Sequence, residues 1–114
     1  MSQQKDEQSM QWLVDLASNS GESIEMRKKA LFWAGQSSNS SERLVAMYDR
    51  MRETELKEQM IFVLSQRHDR QALDKLMSIA RNDPDREMRR KAMFWLGQSK
   101  DPRVNAFLAD IISR

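Results

Sequence analysis

Apolar residues recur along this chain at helical spacing, and one apolar string is written almost identically at two places. In residues 87–99, EMRRKAMFWLGQS, the residues Met88, Ala92, Trp95 and Leu96 fall at i, i+4, i+7 and i+8, which is one stripe of a helix. Residues 25–37, EMRKKALFWAGQS, are identical at ten of thirteen positions. Between them, residues 55–67, ELKEQMIFVLSQR, keep Glu55, Phe62 and Gln66 and put Leu56, Met60, Ile61, Val63 and Leu64 at the apolar places. The copies start 30 and 32 residues apart, room for two helices and two turns in each unit.

A second helix is expected after each copy. Its buried face is Leu44, Met47, Tyr48 and Met51 in the first unit, and Ala72, Leu73, Leu76, Ile79 and Ala80 in the second. In the third it is Val104, Phe107, Leu108, Ile111 and Ile112. Asp83-Pro84 and Asp101-Pro102 place an N-capping acid before a proline at a first helical position, and Gly35 and Gly97 stand at helix C-termini. Upstream, Trp12, Leu13, Leu16 and Ala17 form one more amphipathic segment, the second helix of an incomplete unit. It is preceded by a polar stretch, Ser2 to Gln8, expected to fray. The pattern predicts about seven helices in a single repeat domain over 1–114, with units at approximately 1–20 (partial), 22–52, 53–82 and 83–114. An array beginning with a half unit and stopping at Ile111-Ile112-Ser113-Arg114 without a capping helix is expected to be a segment of a longer protein, or to self-associate through its open ends.

Composition narrows the chemistry. With three glycines and two prolines in 114 residues, turn signals are too few for an all-β fold. No cysteine is present and His68 is the lone histidine, which removes disulfides, thiol catalysis and His- or Cys-based metal sites, so no cofactor or metal is expected. His68 itself is expected as an exposed turn residue. The mean hydropathy of −0.76 and the short apolar runs exclude a membrane span and a signal-peptide core within the chain. Nineteen basic against seventeen acidic residues give a net charge of +2, far from the concentrated basic footprint of a dedicated nucleic-acid binder.

The string MRRKAMFWLGQSKDPRVNAFLADII at 88–112 resembles the short bacterial HEAT-like repeat, also labelled after the phycocyanobilin lyases that carry it. Met88-Arg89, Ala92, Leu96-Gly97 and Asp101-Pro102-Arg103 match its pattern, as do Met26-Arg27, Ala30 and Gly35. The first unit has Ala34 for the leucine and Asn39 for the turn aspartate; the middle unit has Lys57 for the arginine and Ser65 for the glycine. The resemblance implies an all-α fold, a right-handed α-solenoid of about three and a half HEAT-like helical hairpins. It also implies that Arg27 and Arg89 bond to acids of neighbouring turns, with Asp69, Asp83 and Asp101 as candidates. Function follows less directly, because this repeat is reused in scaffolds, regulators, a few lyases and a DNA glycosylase family.

Several residues stand out. Trp33, Trp95, Met26, Met60 and Met88 fall at core positions of the repeat. Phe32, Phe62 and Phe94 recur at one position off that stripe; they either fill gaps between neighbouring first helices or form an apolar ribbon able to bind a partner. Arg27-Lys28-Lys29 and Arg89-Arg90-Lys91 splay about 100° per residue around their helices, and Lys57-Glu58-Gln59 breaks the series between them. On the second helices, expected to line the concave face, projection leaves Arg43, Asp49 and Arg50, then Gln71, Asp74, Lys75 and Ser78, then Arg103 and Asp110. Four bases mixed with three acids suit a polar protein partner and argue against a nucleic-acid channel. No paired nucleophile and base, phosphate-cradling glycine loop or carboxylate cluster is found. The sequence therefore predicts a non-catalytic protein-interaction scaffold. Nucleic-acid binding, motivated by the sequence pI of about 9.2 and the basic triplets, is the alternative. An enzyme of the bilin-lyase or glycosylase kind is a third reading, and it needs an acid in a groove beside an exposed aromatic.

Overall fold

The computed structural model describes residues 2–36, 41–67, 69–99 and 101–112, and within them seven α-helices and no strand. These are α1 (Ser2–Ser18), α2 (Ile24–Gly35), α3 (Glu42–Arg50), α4 (Thr54–Arg67), α5 (Arg70–Asn82), α6 (Arg86–Gly97) and α7 (Pro102–Ile112). The expected turn residues Asn39 and His68 and the terminal Ser113-Arg114 lie outside the described residues. The polar stretch expected to fray falls within the helical span of α1.

The helices form two layers. The three copies of the repeated string are α2, α4 and α6, which pack side by side in that order. The other layer contains α1, α3, α5 and α7; α1 lies on α2, and α5 lies on both α4 and α6. The result is a slab of 46 × 32 × 18 Å whose radius of gyration, 14.4 Å, exceeds the roughly 13 Å of a compact domain of this length. That elongation is the geometry of an α-solenoid.

Each helix carries the apolar pattern its place demands. The central helix α4 touches α2, α5 and α6, and it buries Leu56, Met60, Ile61, Val63 and Leu64 around much of its circumference. Helix α5 has solvent on its far side and keeps one narrow stripe, the five residues named from the sequence. Full burial of each such Leu, Ile or Met contributes about 1.5–3 kcal/mol.

Four expectations change at the ends of the array. Trp33 was placed in the core but is 60% exposed, and Met26 is 45% exposed although Met88, its counterpart in α6, is fully buried. Among the described residues neither Trp33 nor Met26 has a first-layer helix before it to cover that face. Trp12 and Ile112 are likewise exposed, while Met10, which the pattern did not single out, is buried.

The caps also differ in part. Asp101 precedes Pro102 as expected, and its Oδ1 accepts from the Arg103 N–H at 2.8 Å. At α6, however, the N-cap is Asp85, which accepts from the Glu87 N–H, whereas Asp83 ends α5. Asp83 is occupied otherwise: it accepts from the Tyr48 hydroxyl at 2.5 Å and from the Asp85 N–H at 2.8 Å. Gly35 is explained by packing, because the residue after it, Gln36, is right-handed at φ −83° and a Cβ on Gly35 would overlap Val63 Cγ1 of α4.

Candidate interaction surface

The second-helix layer is held together by polar bonds that step from one helix to the next. Arg43 on α3 donates to Gln11 on α1 at 3.0 Å. Lys75 on α5 reaches Asp49 on α3 at 2.6 Å, and Arg103 on α7 reaches Asp74 on α5 at 3.0 Å. Arg81 on α5 bonds Asp110 on α7 at 3.3 Å while its guanidinium lies 5.0 Å from the Phe107 ring centroid. All three acids projected onto this face, Asp49, Asp74 and Asp110, are therefore paired across helices. Arg81 and Gln11 were missed from the sequence, since their roles depend on how neighbouring helices register.

Beneath the Lys75–Asp49 pair sits Tyr48. The Lys75 ammonium is 5.3 Å and the Lys57 ammonium 5.7 Å from its ring centroid. Burial, followed by the hydrogen bond to Asp83, pushes the Tyr48 hydroxyl above its usual range, so it stays a neutral donor. This bond ties α3 to the turn between α5 and α6.

Between α3 and α5 the surface dips into a shallow groove of about 340 Å³, lined by Glu42, Val45, Gln71, Asp74 and Lys75. Gln71 and Ser78 are exposed along α5, and Arg50 is exposed at the end of α3 with no ion-pair partner among the described residues. The candidates thus come together in pairs, with Gln71, Asp74 and Lys75 on the groove, Arg43 and Arg50 at the two ends of α3, and Arg103 and Asp110 toward α7.

The basic triplets do not assemble into a stripe. Arg27 is buried, donating to the Ala17 carbonyl at 2.9 Å and to Glu53 at 3.0 Å. The hydrogen bond from Arg27 holds the Glu53 carboxyl below its ordinary range. Arg89 donates to the backbone carbonyl of Asp83 at 2.5 Å. Both arginines thus bond near inter-helix turns, but to Glu53 and to carbonyls and not to the carboxylates of Asp69, Asp83 or Asp101. Arg90 pairs with Glu87, and Lys91 lies 3.9 Å from Glu58.

A similar buried network, unforeseen from the sequence, centres on Ser41. Its hydroxyl donates to Asp69 at 2.6 Å and accepts from Arg67 at 2.5 Å, and Arg67 also reaches the Gly35 carbonyl at 2.8 Å. Burial alone would raise the Asp69 carboxyl, but bonds from Ser41 and the Ala72 N–H, with the Arg67 charge, hold it low.

The phenylalanines form an interrupted ribbon. Phe62 is half-buried and meets Trp95 edge-on, with centroids 5.5 Å apart, whereas Phe94 is 60% exposed and Phe32 lies at the surface beside Trp33. Trp95 also borders a cavity of about 520 Å³ with Leu64, Leu73, Leu76 and Asp101. Here Asp101 is engaged in capping α7, with the Arg103 guanidinium 3.8 Å away, and in a second groove shared by acids and aromatics, beside Phe94 and Trp95, Glu87 pairs with Arg90 and Glu58 lies 3.9 Å from Lys91.

A family model described as HEAT repeats matches residues 41–114, well over half of the chain and the part containing α3 to α7. The chain belongs to the HEAT repeat family. Searches of curated proteins and of solved structures find no match to it. HEAT repeats are commonly protein-interaction scaffolds. The paired, mixed-charge layer of second helices is therefore the surface to weigh first in this HEAT repeat chain. Among the described residues no helix is long and apolar enough to cross a membrane.

Proposed function

We propose that this HEAT repeat chain is a non-catalytic scaffold that binds a protein partner across the curved face formed by α3, α5 and α7. The observation that carries the reading is the cross-helix ladder Arg43–Gln11, Lys75–Asp49 and Arg103–Asp74. It fixes an extended polar surface before any partner arrives, which lowers the ordering cost of association. Because the three acids are already paired, the charge left to offer lies on α3, at Arg43 and Arg50. A partner that sets an acidic group against α3 and a small apolar side chain over Val45 fits this surface.

The test is a comparative pull-down with the wild-type chain and with Arg43→Glu/Arg50→Glu. A partner of this face disappears from the variant and is retained by a Phe32→Ala/Phe94→Ala control. An identical set of captured proteins in wild type and the Arg43/Arg50 variant would rule the surface out.

A further inference from the structure

The joint between the first and second units and the joint between the second and third are built from matching positions and filled differently. At the first, Arg67 in the last turn of α4 crosses to the unit before it. Its Nη1 donates to the Gly35 carbonyl at 2.8 Å and its Nε to the Ser41 hydroxyl at 2.5 Å, with the carboxylate of Asp69, the N-cap of α5, 3.6 Å from Nε. The Arg67 side chain is 7% exposed, and the cavity bordered there by Gly35, Gln36, Val63 and Gln66 measures about 10 Å³. Their counterparts one unit further on, Ser65, Gln66, Trp95 and Gln98, border the cavity of about 520 Å³.

Two differences open the second joint. Helix α6 stops at Gly97, two places short of the position that ends α4, and that position holds Ser99 where α4 has Arg67. Ser99 stays on its own turn, its hydroxyl accepting from the Asp101 N–H at 3.2 Å. What remains is the receptor for the missing side chain. Leu73, Leu76 and Trp95 supply an apolar wall, and Asp101 stands where Asp69 stands in the first joint. Asp69 accepts the Ala72 N–H on Oδ1 and the Ser41 hydroxyl on Oδ2. Asp101 accepts the Arg103 N–H on Oδ1 in the same way, but its Oδ2 accepts no hydrogen bond among the described residues. The Arg103 guanidinium, 3.8 Å from Oδ1, is engaged by Asp74 at 3.0 Å.

We propose that this cavity takes an arginine side chain of a protein partner. Its methylenes lie along Leu73, Leu76 and Trp95, and its guanidinium bonds Asp101 Oδ2 and the Ser65 carbonyl, as Arg67 bonds the Gly35 carbonyl beside Asp69. The volume falls within the roughly 300–1,000 Å³ of small-molecule sites, so stem and head both enter. Lysine fits less well, because an ammonium is a point charge, whereas the guanidinium fork reaches a carboxylate and a carbonyl together. The inference rests on the reading of the chain as a scaffold for a protein and gives that partner an anchor at the turns joining α4 to α5 and α6 to α7.

The experiment is an NMR titration of the whole isotope-labelled chain with N-acetyl-arginine methylamide, with the citrulline analogue, which keeps the shape without the charge, and with free arginine. The blocked arginine shifts the amides of Ser65, Ser99 and Asp101 and the Trp95 indole saturably, and binds at least about tenfold more tightly than the citrulline probe. Asp101→Asn, which still caps α7, weakens it at least about tenfold while the thermal melt stays close to wild type. Ser99→Arg, which supplies the side chain from within, abolishes it. No saturable shift at these residues, equal binding of the arginine and citrulline probes, or binding untouched by Asp101→Asn would overturn the proposal. Free arginine binding tenfold more tightly than the blocked form would overturn it too, by making the cavity a site for the amino acid itself. No arm touches Arg43 or Arg50, so a silent titration strikes this site alone and leaves the curved face to its own pull-down.

Discussion

Helices α2 and α6 are written in almost the same thirteen letters and live in different surroundings. Met26 lies open to solvent where Met88 is sealed; Gly35 is pressed by Val63 where Gly97 faces empty space; Arg27 is buried against Glu53 where Arg89 holds a carbonyl. What decides the role of a repeat residue is the helix placed before or after it. In a two-layer array the same side chain is therefore core in one unit and surface in another.

Paired substitutions measure that difference. The largest effect is expected from methionine truncation: Met88→Ala destabilises by about 2–5 kcal/mol, as for other buried methionines, while Met26→Ala stays within about 0.5 kcal/mol in urea melts. Equal losses at the two sites would mean that Met26 is covered in solution. Next comes glycine. Gly35→Ala forces its methyl into the stiff Val63 side chain and costs about 1–3 kcal/mol, whereas Gly97→Ala gains up to about 1 kcal/mol of helix propensity in thermal melts. The smallest effect concerns pH. Arg27 lowers the folded-state carboxyl of Glu53, so this pair stabilises the fold above the unfolded glutamate value of about 4.3 and loses that contribution as pH falls through the lowered folded value. Arg27→Met therefore flattens the acid limb of a stability profile, though Asp69 keeps part of it; Arg89→Met, which removes a bond to a carbonyl, leaves the limb unchanged.

The buried stripe of α5 was fully legible in the sequence, because a helix packed on one side against its neighbours shows a clean period. Trp33 and Met26 were misread because the stripe reports which face a helix would bury and says nothing of whether a neighbour is there to bury it. The Asp-Pro signal held at Asp101 and slipped by two residues at Asp83, where a distant tyrosine competes for the same carboxylate. The candidate surface was found residue by residue, but not its pairing. Lys75 and Asp49 lie 26 residues apart, and their meeting depends on a helix register that periodicity does not encode.

Apart from bonds made at the inter-unit turns, such as Arg27 on the Ala17 carbonyl, the side-chain bonds that join one unit to the next, from Arg27–Glu53 to Tyr48–Asp83, span 26 to 35 residues, about the length of one repeat. With Asp83 counted as the end of α5 and so with the middle unit, none of those described skips a unit. A fold wired this way has no central clasp whose failure brings down the whole. Pulled by its ends or warmed, the array is expected to shed its outer hairpins in sequence, and native-state hydrogen exchange would record a gradient, slowest in α4 and fastest in the outermost turns.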